Sequence, residues 1–159
     1  MIPYTLQIAA DRALIRVSVE GLKHMNKSNA RFRGRGRSPQ WKKTAEYERA
    51  LARGFAKDFT GKPIAERDLI VIIELELGRQ KTANGAMRKA KTRAKLCDVD
   101  GVKAILDAGN GVLWIDDQQI GTLVVRKMEH ANGAVGDRVT VSVFTRPKTE
   151  KVDKGNDGV

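Results

Sequence analysis

Apolar and polar residues alternate in several short runs along the chain, which is the pattern of a β-strand with one buried face. In residues 14–19, isoleucine and valine alternate with arginine and serine, and Gly21 ends the run. Because alternate side chains of a strand point to opposite faces, each run can bury one face against a core. Three more strands are predicted later in the chain, at residues 69–77, 120–128 and 138–144. The first of these is apolar at its start and alternates at its end.

Two other segments have apolar residues at the spacing of a helix. Ser38 is a favourable N-cap and Pro39 suits the first helical position, so the first helix is expected from Ser38 to about Phe59. The residues on its apolar face are Trp41, Ala45, Leu51, Ala52, Phe55 and Phe59. A second, shorter helix is expected over residues 102–108, where the sequence GNG stops it.

The order β-α-β-α-β-β predicts an α+β fold, with a mixed sheet of about four strands and two helices. A chain of 159 residues has the length of a single domain. We place this domain at residues 1–145. The polar residues 146–159 are expected to form a disordered tail.

Positive charge is concentrated in two stretches that contain no acidic residue. The formal net charge is +11 and the sequence pI is about 10.0. Residues 22–45 contain eight Lys and Arg and residues 78–97 contain seven, together half of the 30 in the chain. We predict basic loops over residues 23–37 and 78–96, the second of them mobile without a ligand. This charge favours a polyanionic partner, either nucleic acid or an acidic membrane surface. The alternative for each stretch is a solvated loop with no ligand.

The rest of the composition narrows the classes of function. Cys97 is the single cysteine, so no disulfide can form within the chain. His24 and His130 lie far apart in the sequence, which argues against a zinc site. The first ten residues lack the pattern of a signal peptide, and no apolar run is long enough to span a bilayer. We therefore expect a cytoplasmic protein that does not enter a membrane.

Aspartates between residues 98 and 117 form the candidate reactive site. Asp98 and Asp100 are two residues apart, so in extended backbone their carboxylates face the same way. Converging carboxylates repel each other unless a cation lies between them, and Mg²⁺ binds such groups together with water and phosphate oxygens. Asp116 or Asp117 would supply a third carboxylate. In a helix that starts near Asp100, Lys103 lies on the same side and can stabilise charge on a phosphate.

Each of these residues also has a structural interpretation. Asp100 could be the N-cap of the short helix, Asp98 a solvated loop acid, and the 116–117 pair a turn before a strand. Asp107 is interpreted as structural, at the end of the short helix. Trp114 is interpreted as a core residue rather than as a platform for base stacking.

The sequence from Asp98 to Lys127, DVDGVKAILDAGNGVLWIDDQQIGTLVVRK, resembles the RusA family of Holliday junction resolvases. That family carries a pattern close to D-x-D-[NG]-x-x-K-x-x-x-D-A-L-x-G, followed by D-D-x-Q-[IV] and a strand that ends in basic residues. The upstream strand, the polar residues 26–29 and the long helix are similar to further elements of the family. The resemblance extends over most of residues 14–145 and is specific in residues 98–120.

The resemblance implies an endonuclease that depends on Mg²⁺, or on Mn²⁺ in its place, and acts as a homodimer. Such enzymes cut two strands of branched DNA symmetrically in recombination and repair, and a phage or prophage origin is suggested. By the same resemblance, Asp98, Asp100 and Asp117 bind the metal, and Lys103 is the essential lysine. The basic residues expected to contact DNA are Lys27, Arg31, Arg33, Arg35, Arg37, Arg79, Lys81, Arg88, Lys89, Lys91, Arg93 and Lys95.

Two features depart from the family pattern. The lysine follows the second aspartate by three residues rather than four, and Gly109 replaces the usual leucine. A register that restored the lysine spacing would place Cys97 and Val99 at the carboxylate positions, which is chemically poor. A shortened motif could also belong to a weakened or inactive member of the family.

Two further classes of function stay open at this point. A non-catalytic DNA- or RNA-binding protein explains the charge equally well, and it predicts binding that is independent of Mg²⁺ and no cleavage. A metal-dependent phosphohydrolase acting on small nucleotides is the third hypothesis. The lack of a Gly-rich phosphate-binding loop in the sequence counts against it.

Overall fold

The computed structural model describes residues 13–23, 39–78, 101–130 and 136–146, without the side chains of residues 39–41. In chain order the main elements are β1 (Ile15–Leu22), α1 (Pro39–Asp58), β2 (Leu69–Leu77), α2 (Val102–Gly109), β3 (Ile120–Glu129) and β4 (Asp137–Thr145). A short 3₁₀ helix, η1 (Asp117–Gln119), lies between α2 and β3. These elements confirm the predicted α+β class, with two helices and a four-stranded mixed sheet.

The four strands form one sheet in the order β1-β4-β2-β3. β4 is antiparallel to both of its neighbours, whereas β3 is parallel to β2. A parallel pair needs a crossover connection, and α2 lies within the connection between β2 and β3. This crossover places the segment that contains Asp117 directly before the start of β3.

One face of the sheet forms the core. β2 alternates along its whole length, with its odd-numbered residues from Leu69 to Leu77 buried and the intervening residues half-buried. The neighbouring strands continue this face with Ile15, Val17, Val139, Val141 and Val143. Burial of each such side chain contributes about 1.5–3 kcal/mol before the entropy of ordering the chain is subtracted.

Helix α1 packs against β1 and α2 on the core side. Its buried residues follow helical spacing and are Thr44, Tyr47, Leu51 and Phe55. The predicted face included Leu51 and Phe55 but not Tyr47. Gly54 allows α1 to approach β1 closely, because a Cβ atom at this position would overlap with the side chain of Val19.

The opposite face of the sheet carries ion pairs between strands. Glu74 of β2 lies 3.7 Å from Arg16 of β1 and 3.7 Å from Arg126 of β3. Arg138 of β4 lies 3.4 Å from Glu76 of β2. Each partly exposed pair contributes little to stability. Their main consequence is that acidic and basic side chains on this face largely neutralise one another.

The observed bounds differ slightly from the predicted ones. β1 does not end at Gly21 but continues to Leu22 through an irregularity in the strand register, and Gly21 has a φ of 80°. The other predicted strands and the short helix are present, and three of these four elements are longer by one or two residues. Most of both predicted basic loops and of the predicted tail, and the side chain of Trp41, lie outside the described residues. No helix in the described part is long and apolar enough to cross a membrane.

Candidate active site

Two of the four predicted catalytic residues, Lys103 and Asp117, are in contact. Lys103 lies in the first turn of α2, and Asp117 opens η1. The Nζ of Lys103 donates a hydrogen bond to Oδ2 of Asp117. The same Nζ lies 3.0 Å from Oδ1 of Asp107, one helical turn further along α2. One ammonium group is therefore shared by carboxylates from two different elements.

A capping box holds the turn that carries Asp117. Asp116 is the N-cap of η1, and its Oδ1 accepts a hydrogen bond of 2.8 Å from the N–H of Gln118. In return, Oε1 of Gln119 accepts a hydrogen bond of 2.8 Å from the N–H of Asp116. This reciprocal pair fixes the backbone of the turn. The two adjacent aspartates therefore differ in use, since one carboxylate caps the turn and the other contacts Lys103.

The amide of Gln119 also ties η1 to the segment before β2. Its Nε2 donates hydrogen bonds to the backbone oxygens of Ile64, at 3.1 Å, and Glu66, at 2.7 Å. Its Oε1 also accepts the bond from the N–H of Asp116, so the side chain of Gln119 binds three backbone groups from two parts of the chain. Each such hydrogen bond contributes about 1 kcal/mol net. Gln119 thereby restricts the position of Asp117 relative to the folded body.

The loop between α2 and η1 is anchored by Trp114, which is fully buried. Its Nε1 donates a hydrogen bond of 2.8 Å to Oδ1 of Asn110, and its backbone forms isolated β-bridges with Asn110 and Ile64. The indole ring lies so close to Gly109 that a Cβ atom there would overlap with it. The prediction that Trp114 is a core residue is confirmed. Its contacts set the path of the chain that leads into η1.

The surroundings of Lys103 favour its charged form. The hydrogen bond to Asp117 and then the hydrogen bond to Asp107 raise the pKa of the Lys103 ammonium, and the opposing effect of burial is smaller. Lys103 is therefore protonated at neutral pH. Its side chain is 51% exposed, so it is accessible to a ligand. A group in this state can stabilise negative charge but cannot act as a general base.

The other two predicted catalytic residues, Asp98 and Asp100, lie outside the described residues. The alternative in which Asp100 caps α2 concerns the same undescribed segment, and Gly101, the first described residue of this part, already has helical dihedral angles. Asp107, interpreted from the sequence as structural, belongs to the site as a partner of Lys103.

The oxygen donors of the site suit a hard cation such as Mg²⁺. The carboxylates of Asp107 and Asp117 converge on one positive charge, the ammonium of Lys103. Mg²⁺ prefers oxygen ligands and keeps several waters, so it needs few protein ligands. Within the described ranges, no three His, Cys, Asp or Glu side chains are grouped closely enough to hold a metal. A complete ligand set would draw on Asp98 and Asp100.

Comparison with protein families agrees with this geometry. Residues 22–143 match the family model of endodeoxyribonuclease RusA, which accounts for most of the chain. The chain belongs to the RusA family. It is therefore a member of a family of endodeoxyribonucleases that are Holliday junction resolvases. No curated protein matches the chain with significant similarity.

The two departures from the RusA pattern leave the contact between Lys103 and Asp117 intact. The shorter spacing between Asp100 and Lys103 does not keep Lys103 away from Asp117, because the two side chains are in contact. Gly109, in place of the usual leucine, leaves space for the ring of Trp114. Neither departure therefore prevents the lysine and the last carboxylate of the RusA motif from meeting.

Two residues within the RusA motif, Asp107 and Gln119, were not predicted to have the roles that the structure shows. Asp107 follows Lys103 by four residues, a spacing at which helical side chains meet, so this contact has a sequence signal. Gln119 follows Asp116 by three residues, which is the spacing of a capping box. Its bonds to backbone oxygens 55 and 53 positions away have no local signal.

The two basic segments adjoin the folded body at neighbouring points. Leu22, the last residue of β1, is paired with Asp137 of β4, and residues 24–38 follow shortly after it. The buried carboxylate of Asp137 accepts a hydrogen bond of 3.0 Å from the N–H of Gly78, and residues 79–100 follow directly.

These segments carry nearly all of the excess positive charge. The described residues contain 14 Lys and Arg and 13 Asp and Glu, a net charge of +1, so +10 of the total +11 lies outside them. All twelve residues predicted to contact DNA lie in these two segments, outside the described part of the chain.

Proposed function

We propose that this RusA-family protein is an Mg²⁺-dependent endonuclease that resolves four-way DNA junctions by two symmetric cuts. The contact between Lys103 and Asp117 carries the proposal, because it joins the lysine to the last carboxylate of the predicted set. In the sequence, Asp98 and Asp100 come directly before the helix that contains Lys103. We assign Asp98, Asp100 and Asp117 as the metal ligands, with Mn²⁺ as an alternative ion.

The residues of the proposed site have distinct roles. The three aspartates hold the metal, which when bound activates water and stabilises the departing oxygen of the phosphodiester. Lys103 donates hydrogen bonds to the scissile phosphate, and its charge offsets the negative charge that grows in the transition state. Because the ordinary pKa of a lysine already lies well above neutral pH, Lys103 brings a positive charge to the phosphate. Gln119 holds the turn that carries Asp117.

DNA binding is assigned to the basic residues of segments 24–38 and 79–100. The residues that the structure describes have a net charge of only +1, so they offer little attraction to DNA. Contacts to the phosphates of DNA depend little on the DNA sequence. They make the affinity for DNA fall steeply as the salt concentration rises. Two copies of the chain related by a twofold axis would present two equivalent sites to a junction of matching symmetry, and paired cuts would follow. We expect this homodimer to act in recombination and repair, in the cytoplasm of a bacterium or of a phage-infected cell.

The experiment that tests the proposal is cleavage of a synthetic four-way junction with each strand labelled in turn. We expect the wild type to make paired nicks at symmetry-related positions in Mg²⁺. Asp100→Asn and Asp117→Asn should lower the cleavage rate by about 10³-fold or more, as removal of one member of a catalytic unit does. Junction binding should persist in both variants.

Asp116→Asn is the matched control for Asp117→Asn. The chemical change is the same, but asparagine keeps the oxygen that caps η1, so we expect cleavage close to the wild-type rate. An equally complete loss in both variants would contradict the assignment of Asp117 as the ligand. Tight binding by the wild type without cleavage in Mg²⁺ or Mn²⁺ would favour a non-catalytic DNA-binding protein. Hydrolysis of free nucleotides without DNA would favour a phosphohydrolase.

A further inference from the structure

We propose that Asp107 is a positioning residue that keeps Lys103 in the site when Asp117 binds the metal. The inference rests on the proposed function, because it requires Asp117 to be a metal ligand. Its basis is that one ammonium is shared: Nζ of Lys103 contacts Oδ2 of Asp117 and lies 3.0 Å from Oδ1 of Asp107.

The two carboxylates differ in how they are connected to Lys103. Asp107 lies on the same helix one turn later, a spacing at which side chains can meet without any contact to another element. Asp117 lies in η1, and its distance from Lys103 depends on how that turn packs. The pair formed by Lys103 and Asp107 can therefore form without Asp117.

A metal ion and an ammonium group cannot share one carboxylate oxygen without repulsion between their positive charges. A metal ion bound at Oδ2 of Asp117 would compete with Lys103 for that oxygen and would weaken this hydrogen bond. A lysine side chain is flexible and its charged end is strongly hydrated. The half-exposed Lys103 would therefore move into water unless a second group held it.

Asp107 supplies this second group. In the structure the ammonium contacts both carboxylates and offsets their mutual repulsion. In the metal-bound protein Lys103 stays on Asp107. An ammonium has three N–H donors, so one bond to Asp107 leaves two donors for the oxygens of a phosphate. Asp107 thus acts on the reaction through Lys103 and has no contact of its own with the metal.

The test follows the side-chain ammonium of Lys103 by NMR of the ¹⁵N-labelled full-length protein during titration with Mg²⁺ in the absence of DNA. An ammonium held by a carboxylate exchanges its protons slowly enough to be observed, and Lys103→Arg assigns its signal. In the wild type we expect the signal to shift and persist at saturating Mg²⁺. In Asp107→Asn we expect the Lys103 signal to be present before Mg²⁺ is added, because Asp117 still holds the ammonium. As Mg²⁺ binds to this variant, we expect the signal to disappear.

The metal-free signal of Asp107→Asn also shows that this variant is folded. Persistence of the signal in Mg²⁺-saturated Asp107→Asn would overturn the inference, as would its loss in the wild type. If the carboxylate resonance of Asp117, followed in samples that are also labelled with ¹³C, did not respond to Mg²⁺ in either protein, the proposed function would fail together with the inference. In single-turnover cleavage, we expect Asp107→Asn to be slower by about 10- to 100-fold, the scale of a misplaced catalytic group, at unchanged junction affinity.

Discussion

The indole ring of Trp114 lies against the backbone of Gly109 and occupies the space that a side chain at position 109 would need. The ring is fully buried, and its Nε1 is held by the side chain of Asn110. Gly109 is also the last residue of α2. This contact explains why a glycine ends the helix at the position where the RusA pattern has leucine.

Gly109→Ala is expected to destabilise the protein, although alanine is preferred to glycine inside a helix by about 1 kcal/mol. The added Cβ atom would overlap with the ring of Trp114, and overpacking of this kind costs about 1–3 kcal/mol. Urea unfolding of the two proteins measures the difference. In a Trp114→Phe background the smaller ring leaves room, so the same substitution should cost less. An equal cost in both backgrounds would contradict the contact.

Gln119→Leu is expected to loosen η1 and to weaken metal binding. The substitution removes three hydrogen bonds to backbone groups, each worth about 1 kcal/mol net. The free energy of unfolding should fall, and the Mg²⁺ concentration needed for half-maximal cleavage should rise. Gln118→Leu is the matched control, because that side chain is exposed and its part in the capping box is its backbone N–H. Identical behaviour of the two variants would argue against the role of Gln119.

Lys103→Met is expected to abolish most cleavage while leaving the junction bound. Loss of one group that stabilises transition-state charge costs about 10²- to 10³-fold in rate. Single-turnover cleavage measures this loss, and gel-shift titration measures binding. Lys62→Met, which removes an exposed lysine outside the site, should cleave like the wild type. A Lys103→Met protein with normal cleavage would exclude this lysine from the mechanism.

We expect the salt dependence of DNA affinity to come from basic residues in segments 24–38 and 79–100. Basic residues in the part of the chain that the structure describes should contribute little to it. Each phosphate that a basic side chain neutralises contributes about 0.9 to the slope of log affinity against log salt. Arg33→Gln combined with Arg35→Gln should therefore make the slope shallower by about 2. Lys57→Gln combined with Lys62→Gln removes the same charge from exposed positions of the body and should leave the slope unchanged. Equal changes in the two double variants would show that binding follows net charge alone.

The secondary structure was predictable because its signals are local. The observed bounds of β2 match the predicted ones, and the alternation at the end of its sequence shows which of those residues are buried, whereas its apolar start does not. The capping preferences of Ser38 and Pro39 placed the start of α1 within one residue. The irregular end of β1 was not predicted, because a glycine with positive φ is compatible with a turn or with a bulge inside a strand.

The site was only partly predictable, because its parts come together through packing. Residue spacing alone left Asp116 and Asp117 equivalent, and the resemblance to the RusA motif assigned Asp117 as the metal ligand. The capping box separates them, since it uses the carboxylate of Asp116 for the backbone of η1. The assignment of Asp98, Asp100 and Asp117 as metal ligands, and of Lys103 as the essential lysine, stays a prediction.

By itself the sequence determined the type and approximate extent of each element, the uneven distribution of charge and the RusA motif, because each of these depends on residues close together in the chain. Only the tertiary structure decided the strand order β1-β4-β2-β3, the tether from Gln119 to the segment before β2, and the sharing of Lys103 between two acids. The physical reason is that periodicity specifies which face of an element is buried but not which element covers it. Contacts between distant residues form only when sheet register and helix packing are satisfied together.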